Sequence, residues 1–124
     1  MRTSAKAGAR AVSGAGLTVG LLLLARPAEV IAAVAPEYPS TRLWIVRLLG
    51  ARLVAQHVAV LVAPGRPALR AAAVVDGLHA ASMLPVLLLP RYRWAALVSG
   101  VAAAASALAA GRLAASGPVR SERR

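Results

Sequence analysis

Apolar residues in this chain fall in long runs, not in the apolar–polar alternation of half-buried strands, and prolines and arginines punctuate the runs. Four runs predict four helices, at about 11–25, 43–63, 71–89 and 94–115. Ala11 to Ala25, between Arg10 and Arg26, is only 15 residues. Its helix reaches roughly 22 Å against a hydrocarbon core of about 30 Å, so it must borrow length from snorkelling arginines. Leu43 to Ala63 closes at Pro64-Gly65, and Ala71 to Leu89 lies between Arg70 and Pro90. Trp94 opens a fourth run, free of charge as far as Gly111. Each suits a membrane crossing, which needs about 20 residues.

The segment 26–42 holds Pro27, Pro36, Pro39, Glu29 and Glu37 and reads as an outer loop. Within it Pro27 is placed to begin a short interfacial helix over Ala28–Ala35. In the third run Pro85 frees the carbonyl of Ala81 and predicts a bend. In the first, Gly16 and Gly20 form a small-xxx-small pair, although chance also explains one such pair in so Gly- and Ala-rich a chain. Ser99, Ala103, Ala107 and Gly111 put a small face on the fourth. A rival reading of the N-terminus is a cleaved signal peptide. Arg2, Lys6 and Arg10 would be its basic region, Leu17–Leu24 its apolar region and Val30-Ile31-Ala32 a poor cleavage site.

Composition narrows the class. The 124 residues are 59% hydrophobic with a net charge of +11, and the mean hydropathy is +0.67. That combination points to an integral membrane protein, not a soluble globule. The charge does not imply nucleic acid, because basic residues sit between apolar runs and are not interleaved with stacking aromatics. With no cysteine, disulfides and thiolate metal sites are excluded. Lys6 is the one lysine, and the wealth of Ala, Arg, Gly and Val fits a high-GC bacterium, hence a bacterial plasma membrane.

Charge and aromatics predict the same topology from different residues. With the N-terminus inside, nine basic residues are cytoplasmic: Arg2, Lys6, Arg10, Arg66, Arg70, Arg112, Arg120, Arg123 and Arg124. Four are outside: Arg26, Arg42, Arg91 and Arg93. The positive-inside rule then puts both termini inside. Tyr38, Trp44, Tyr92 and Trp94 all fall at the outer face, as an interfacial aromatic anchor would. The organisation expected is a basic N-terminus at 1–10, a membrane domain at 11–115 and a disordered cytoplasmic tail at 116–124.

Candidate chemistry lies within the second and third runs. Intramembrane charges are expensive unless paired or wet, so Arg52, Gln56, Asp76 and His79 form the candidate polar cluster. Arg52 and Gln56 share one helix face, as do Asp76 and His79. Counting about 1.5 Å per residue from the loop at 64–70 puts Arg52 and His79 roughly 16 and 12 Å deep, and Gln56 and Asp76 roughly 10 and 8 Å. A structural clamp follows, with Asp76 neutralising Arg52 while Gln56 and His79 satisfy the remaining polar atoms. The alternative is a proton or ion relay through Asp76 and His79. Arg47, four residues inside Leu43, snorkels outward. Asp76, His79 and His57 are too few and too scattered to make zinc the expectation. A bis-histidine haem lacks support, since the histidines differ in depth and no attachment motif exists. No cofactor or metal is expected. No phosphate loop, nucleophile elbow or His-Glu-x-x-His is present, so catalysis is not expected either.

Leu49-Gly50-Ala51-Arg52 with Gln56, then Val75-Asp76-Gly77-Leu78-His79-Ala80-Ala81-Ser82-Met83, resembles small uncharacterised bacterial four-helix membrane proteins. In these an apolar helix ending in Arg-Pro, here Arg26-Pro27, precedes a Gly-Ala-Arg helix and an Asp-x-x-His-Ala helix. The resemblance covers roughly residues 16–98 and implies the fold and the choice of Arg52, Asp76 and His79, not an activity. Small multidrug exporters match less well, since Leu17–Leu24 lacks the acid of their first helix. The expectation is therefore an all-α four-helix transmembrane bundle, N-in and C-in, in contact with the lipid bilayer. It acts as a structural or accessory protein through partner membrane helices or as a homo-oligomer. The alternative is a small oligomeric transporter or proton-coupled channel.

Overall fold

Prolines and glycines set most of the boundaries in the computed structural model, which describes residues 2–116. Among the described residues the chain is all helical, in the order α1 Arg2–Ala25, α2 Pro27–Val34, α3 Leu43–Val62, α4 Arg66–Val86 and α5 Arg93–Ala115, with a 3-10 turn at Ser40–Arg42. Pro27 opens α2 at a position where its missing N–H is no loss, and α2 stops at Val34, two residues before Pro36. The exposed Arg26 guanidinium pairs with Glu29 across the start of α2 at 3.0 Å. Extended Gly65 precedes α4, whose first turn accommodates Pro67. The tail beyond residue 116 lies outside the described residues.

Two boundaries depart from expectation. α1 starts at Arg2, so its 24 residues reach about 36 Å and it has no shortage of length. Lys6 and Arg10, read as an end to the apolar run, are carried inside the same helix. The third element runs over 66–86 instead of 71–89. Pro85 sits in its last turn, one residue before the helix ends at Val86. The chain then tightens into i to i+3 turns, with Leu88 N–H donating to Pro85 O at 3.2 Å and Leu89 N–H to Val86 O at 3.0 Å.

The long helices associate as two pairs, α1 with α3 and α4 with α5. α1 and α3 cross backbone to backbone at Gly20 and Gly50, where a Cβ on Gly50 would stand 2.8 Å from the Gly20 carbonyl oxygen. α4 and α5 approach closely where a Cβ on Gly100 would lie 3.2 Å from Met83 Cβ. α3 and α4, neighbours in sequence, touch far less than the members of either pair.

The pairs meet over a core of small residues: Ala9, Ala72, Ala110 and Ala114, with Val60 and Leu69. Larger apolar side chains point outward, with Leu48, Leu78 and Leu108 all more than 60% exposed. Small residues inside and large apolar ones outside invert the arrangement of a water-soluble bundle and suit packing in lipid.

Among the described residues, three helices are long and apolar enough to cross a membrane, at Thr3–Ala25, Ser40–Val62 and Arg93–Ala115. The sequence predicts four spans, and α4 is the helix that does not meet this measure. α4 falls short because Arg66, Arg70, Asp76, His79, Ser82 and Pro85 dilute its apolar content.

Each end of the bundle carries its own contact. At one, Arg66 Nε donates to the Ala114 carbonyl at 2.8 Å, joining the start of α4 to the end of α5. At the other, Tyr38 and Tyr92 stack edge to face with centroids 5.4 Å apart, and the Tyr38 hydroxyl donates to Arg42 O at 3.1 Å.

A candidate polar site between the helix pairs

Asp76 is the most deeply buried large side chain, at 1% exposure. It lies on the face of α4 that turns toward α3, and both of its carboxylate oxygens are occupied from that helix. Arg52 Nη2 donates to Oδ1 at 3.0 Å and Gln56 Nε2 donates to Oδ2 at 2.9 Å. Arg52 and Gln56 project together because four residues make roughly one helical turn. The ion pair is asymmetric, since the Arg52 side chain retains 28% exposure while the Asp76 side chain retains 2%. The long guanidinium stem therefore spans an interface where the backbones stay apart, and its head meets the acid.

Of the four residues read from the sequence, the structure brings Arg52, Gln56 and Asp76 together. It turns His79 elsewhere. One helical turn beyond Asp76, His79 Nε2 lies 2.7 Å from Ser99 Oγ, linking α4 to α5. The two polar links thus do different jobs: Arg52–Asp76–Gln56 joins one helix pair to the other, while His79–Ser99 works inside a pair.

His57 stood outside the expected cluster, yet it is buried to 4% exposure. It packs against Gly16 of α1, where an added Cβ would overlap the imidazole ring. Gly16 is therefore a seat for His57, while Gly20, one turn on, makes the contact with Gly50. Neither role is visible in a small-xxx-small spacing, which says only that something comes close.

A small, partly open cavity adjoins the cluster, lined on its polar side by Ser13, His57, Asp76 and Ser106 and elsewhere by side chains such as Val12, Val60 and Leu113. All four long helices contribute to it. Sequence reasoning passed over Ser13 and Ser106 because a lone serine in an Ala-rich helix carries no spacing signal. Among the described residues no three acids, histidines or cysteines stand close enough to hold a metal. His57 and His79 are directed to different neighbours, Gly16 and Ser99.

A wider open groove of about 360 Å³ runs along the outside of the α3–α4 seam, with Arg52 and Gln56 at its rim and Ala55, Ala59, Ala68 and Ala71 along it. It exists because α3 and α4 belong to different pairs.

No family model, curated protein or solved structure matches the chain.

Proposed function

We propose that this chain is a four-span integral protein of a bacterial plasma membrane, working as a structural or accessory component through helix contacts. Its Arg52–Asp76–Gln56 cluster clamps the two helix pairs together. The observation that carries the reading is Asp76, almost wholly buried with both oxygens taken by donors from the opposing pair. A buried acid so fully engaged is poorly placed to exchange ligands and well placed to fix a register.

α4 supplies the fourth span in this reading. It runs beside α5 between the end where Arg66 meets Ala114 and the end where Tyr92 meets Tyr38. Its charges are tolerable there because Asp76 faces inward and is paired. The close seating of α1 on α3 at Gly20 and Gly50 supports a retained first helix over a cleaved leader. The excess of arginine at the end holding Arg66, Arg70 and Arg112 supports a cytoplasmic orientation for that end, beside anionic lipid.

The test is a double-mutant cycle on purified protein in detergent, using Asp76→Asn, Arg52→Gln and both together. Either single change should destabilise by about 2–4 kcal/mol, since each leaves a partner unpaired. The double change should cost about 1 kcal/mol or more less than the sum of the two. Additive effects, or unchanged stability in Asp76→Asn, would sink the clamp and return attention to a proton-coupled transporter.

A further inference from the structure

The small cavity beside Asp76 has the size and lining of a site for one water. The room open to the centre of a water is about 10 Å³, the volume of about one such site. A buried water also needs two to four polar partners. Three stand around this cavity with capacity to spare, each from a different helix. His57 Nδ1 of α3 is buried and has no hydrogen-bond partner. The hydroxyls of Ser13 on α1 and Ser106 on α5 line the same space and form no hydrogen bond within the described residues. Asp76 on α4 forms the fourth wall, its oxygens already accepting from Arg52 and Gln56 with lone pairs left over.

Leaving the buried imidazole nitrogen of His57 unsatisfied is costly, and the hydroxyls of Ser13 and Ser106 stand beside it without a partner among the described residues. A single water relieves them together, because it can donate twice and accept twice. We propose that a water molecule occupies this cavity and is held by His57, Ser13 and Ser106 beside Asp76. Each of the four long helices then contributes one polar side chain to a common hydrated junction. The site also makes His57, and not His79, the imidazole that communicates with Asp76. Arg52 is the other charged group at the cluster among the described residues, and it approaches Asp76 from the α3 side.

This inference goes beyond the clamp and does not depend on it, because it is read on the unaltered protein. The chain has two histidines, so ring-labelled histidine gives two sets of NMR signals, and loss of one set in His79→Gln assigns them. The expected result is a cross-peak between water and the His57 ring carbon-bound protons, which are present in either tautomer. Ser106→Val should abolish it by filling the cavity. Should that variant fail to fold, Ser13→Ala and Ser106→Ala remove one partner each and should speed the exchange of the water. A folded protein whose His57 ring shows no water cross-peak would overturn the site. So would a cross-peak whose intensity and exchange rate are unchanged in both alanine variants.

Discussion

Gly20 and Gly50 face each other where α1 crosses α3, each presenting its backbone carbonyl to the space where the other's side chain would stand, at 3.0 and 2.8 Å. No Cβ fits on Gly50 without moving backbone. Gly50→Ala should therefore destabilise the protein by about 1–3 kcal/mol through overpacking. Gly77→Ala is the matched control, since nothing lies within 4 Å of a Cβ there. It should be neutral or stabilising by up to about 1 kcal/mol, as alanine is the better helix former. Denaturation in detergent, followed by helical circular dichroism, compares them directly, and equal losses would refute the close crossing.

The seat of His57 predicts a compensating pair. Gly16→Ala should lose about 1–3 kcal/mol because the new methyl overlaps the imidazole. In a His57→Ala background the same change should be almost free. Thermal melts of the two single variants and the double variant give the coupling; strict additivity would place His57 away from Gly16.

Ser99→Ala removes the partner of His79 within the α4–α5 pair. A modest loss of about 0.5–1.5 kcal/mol is expected, in the range of polar contacts between membrane helices. It should add independently to Asp76→Asn, because one contact acts inside a pair and the other between pairs. Marked coupling between them would mean a single continuous network.

The chain has no cysteine, so single cysteines report topology cleanly. With both termini inside, Ser40→Cys and Arg91→Cys should react with a membrane-impermeant maleimide in intact cells. Gly65→Cys and Ser116→Cys should react only after permeabilisation. Labelling of Gly65→Cys from the same side as Arg91→Cys would show that α4 does not cross.

Tyr38 outside the spans supplies a pH test. Burial, reinforced by neighbouring Tyr92 and opposed by Arg42, raises its pKa above the ordinary value of 10.0. A phenol whose folded pKa is raised contributes stability below the unfolded pKa, and that contribution is lost as pH rises through the folded value. Absorbance titration of phenolate should show Tyr38 ionising late, with that signal absent in Tyr38→Phe. Tyr38 titrating at its ordinary value would remove the burial.

Much of the helical plan was legible because apolar runs and prolines act locally. The start of α3 after Arg42 and the proline-initiated α2 were readable from a few residues each. Depth counting also sufficed to put Arg52, Gln56 and Asp76 within reach, since two helices joined by a short loop share an origin. Pairing was not legible. Sequence adjacency suggested that α3 packs on α4, whereas glycines distant in sequence make α3 the partner of α1. His79 was grouped with Asp76 by its spacing along α4, yet the turn between them carries it to Ser99. Hydropathy alone did not show that α1 continues through Lys6 and Arg10, because a helix does not end where its apolar content does.

The alanine seam between the helix pairs has a mechanical meaning. Interlocking large side chains resist sliding because one ridge must climb another, but alanines present a nearly smooth surface. The molecule is then two leaves with little side-chain interlock along their seam, riveted by Arg52, Gln56 and Asp76 near mid-length and held by the Tyr38–Tyr92 contact at one end. Cutting the rivet should leave helix content intact. It should broaden spin-label distances measured from leaf to leaf, while distances within a leaf stay sharp.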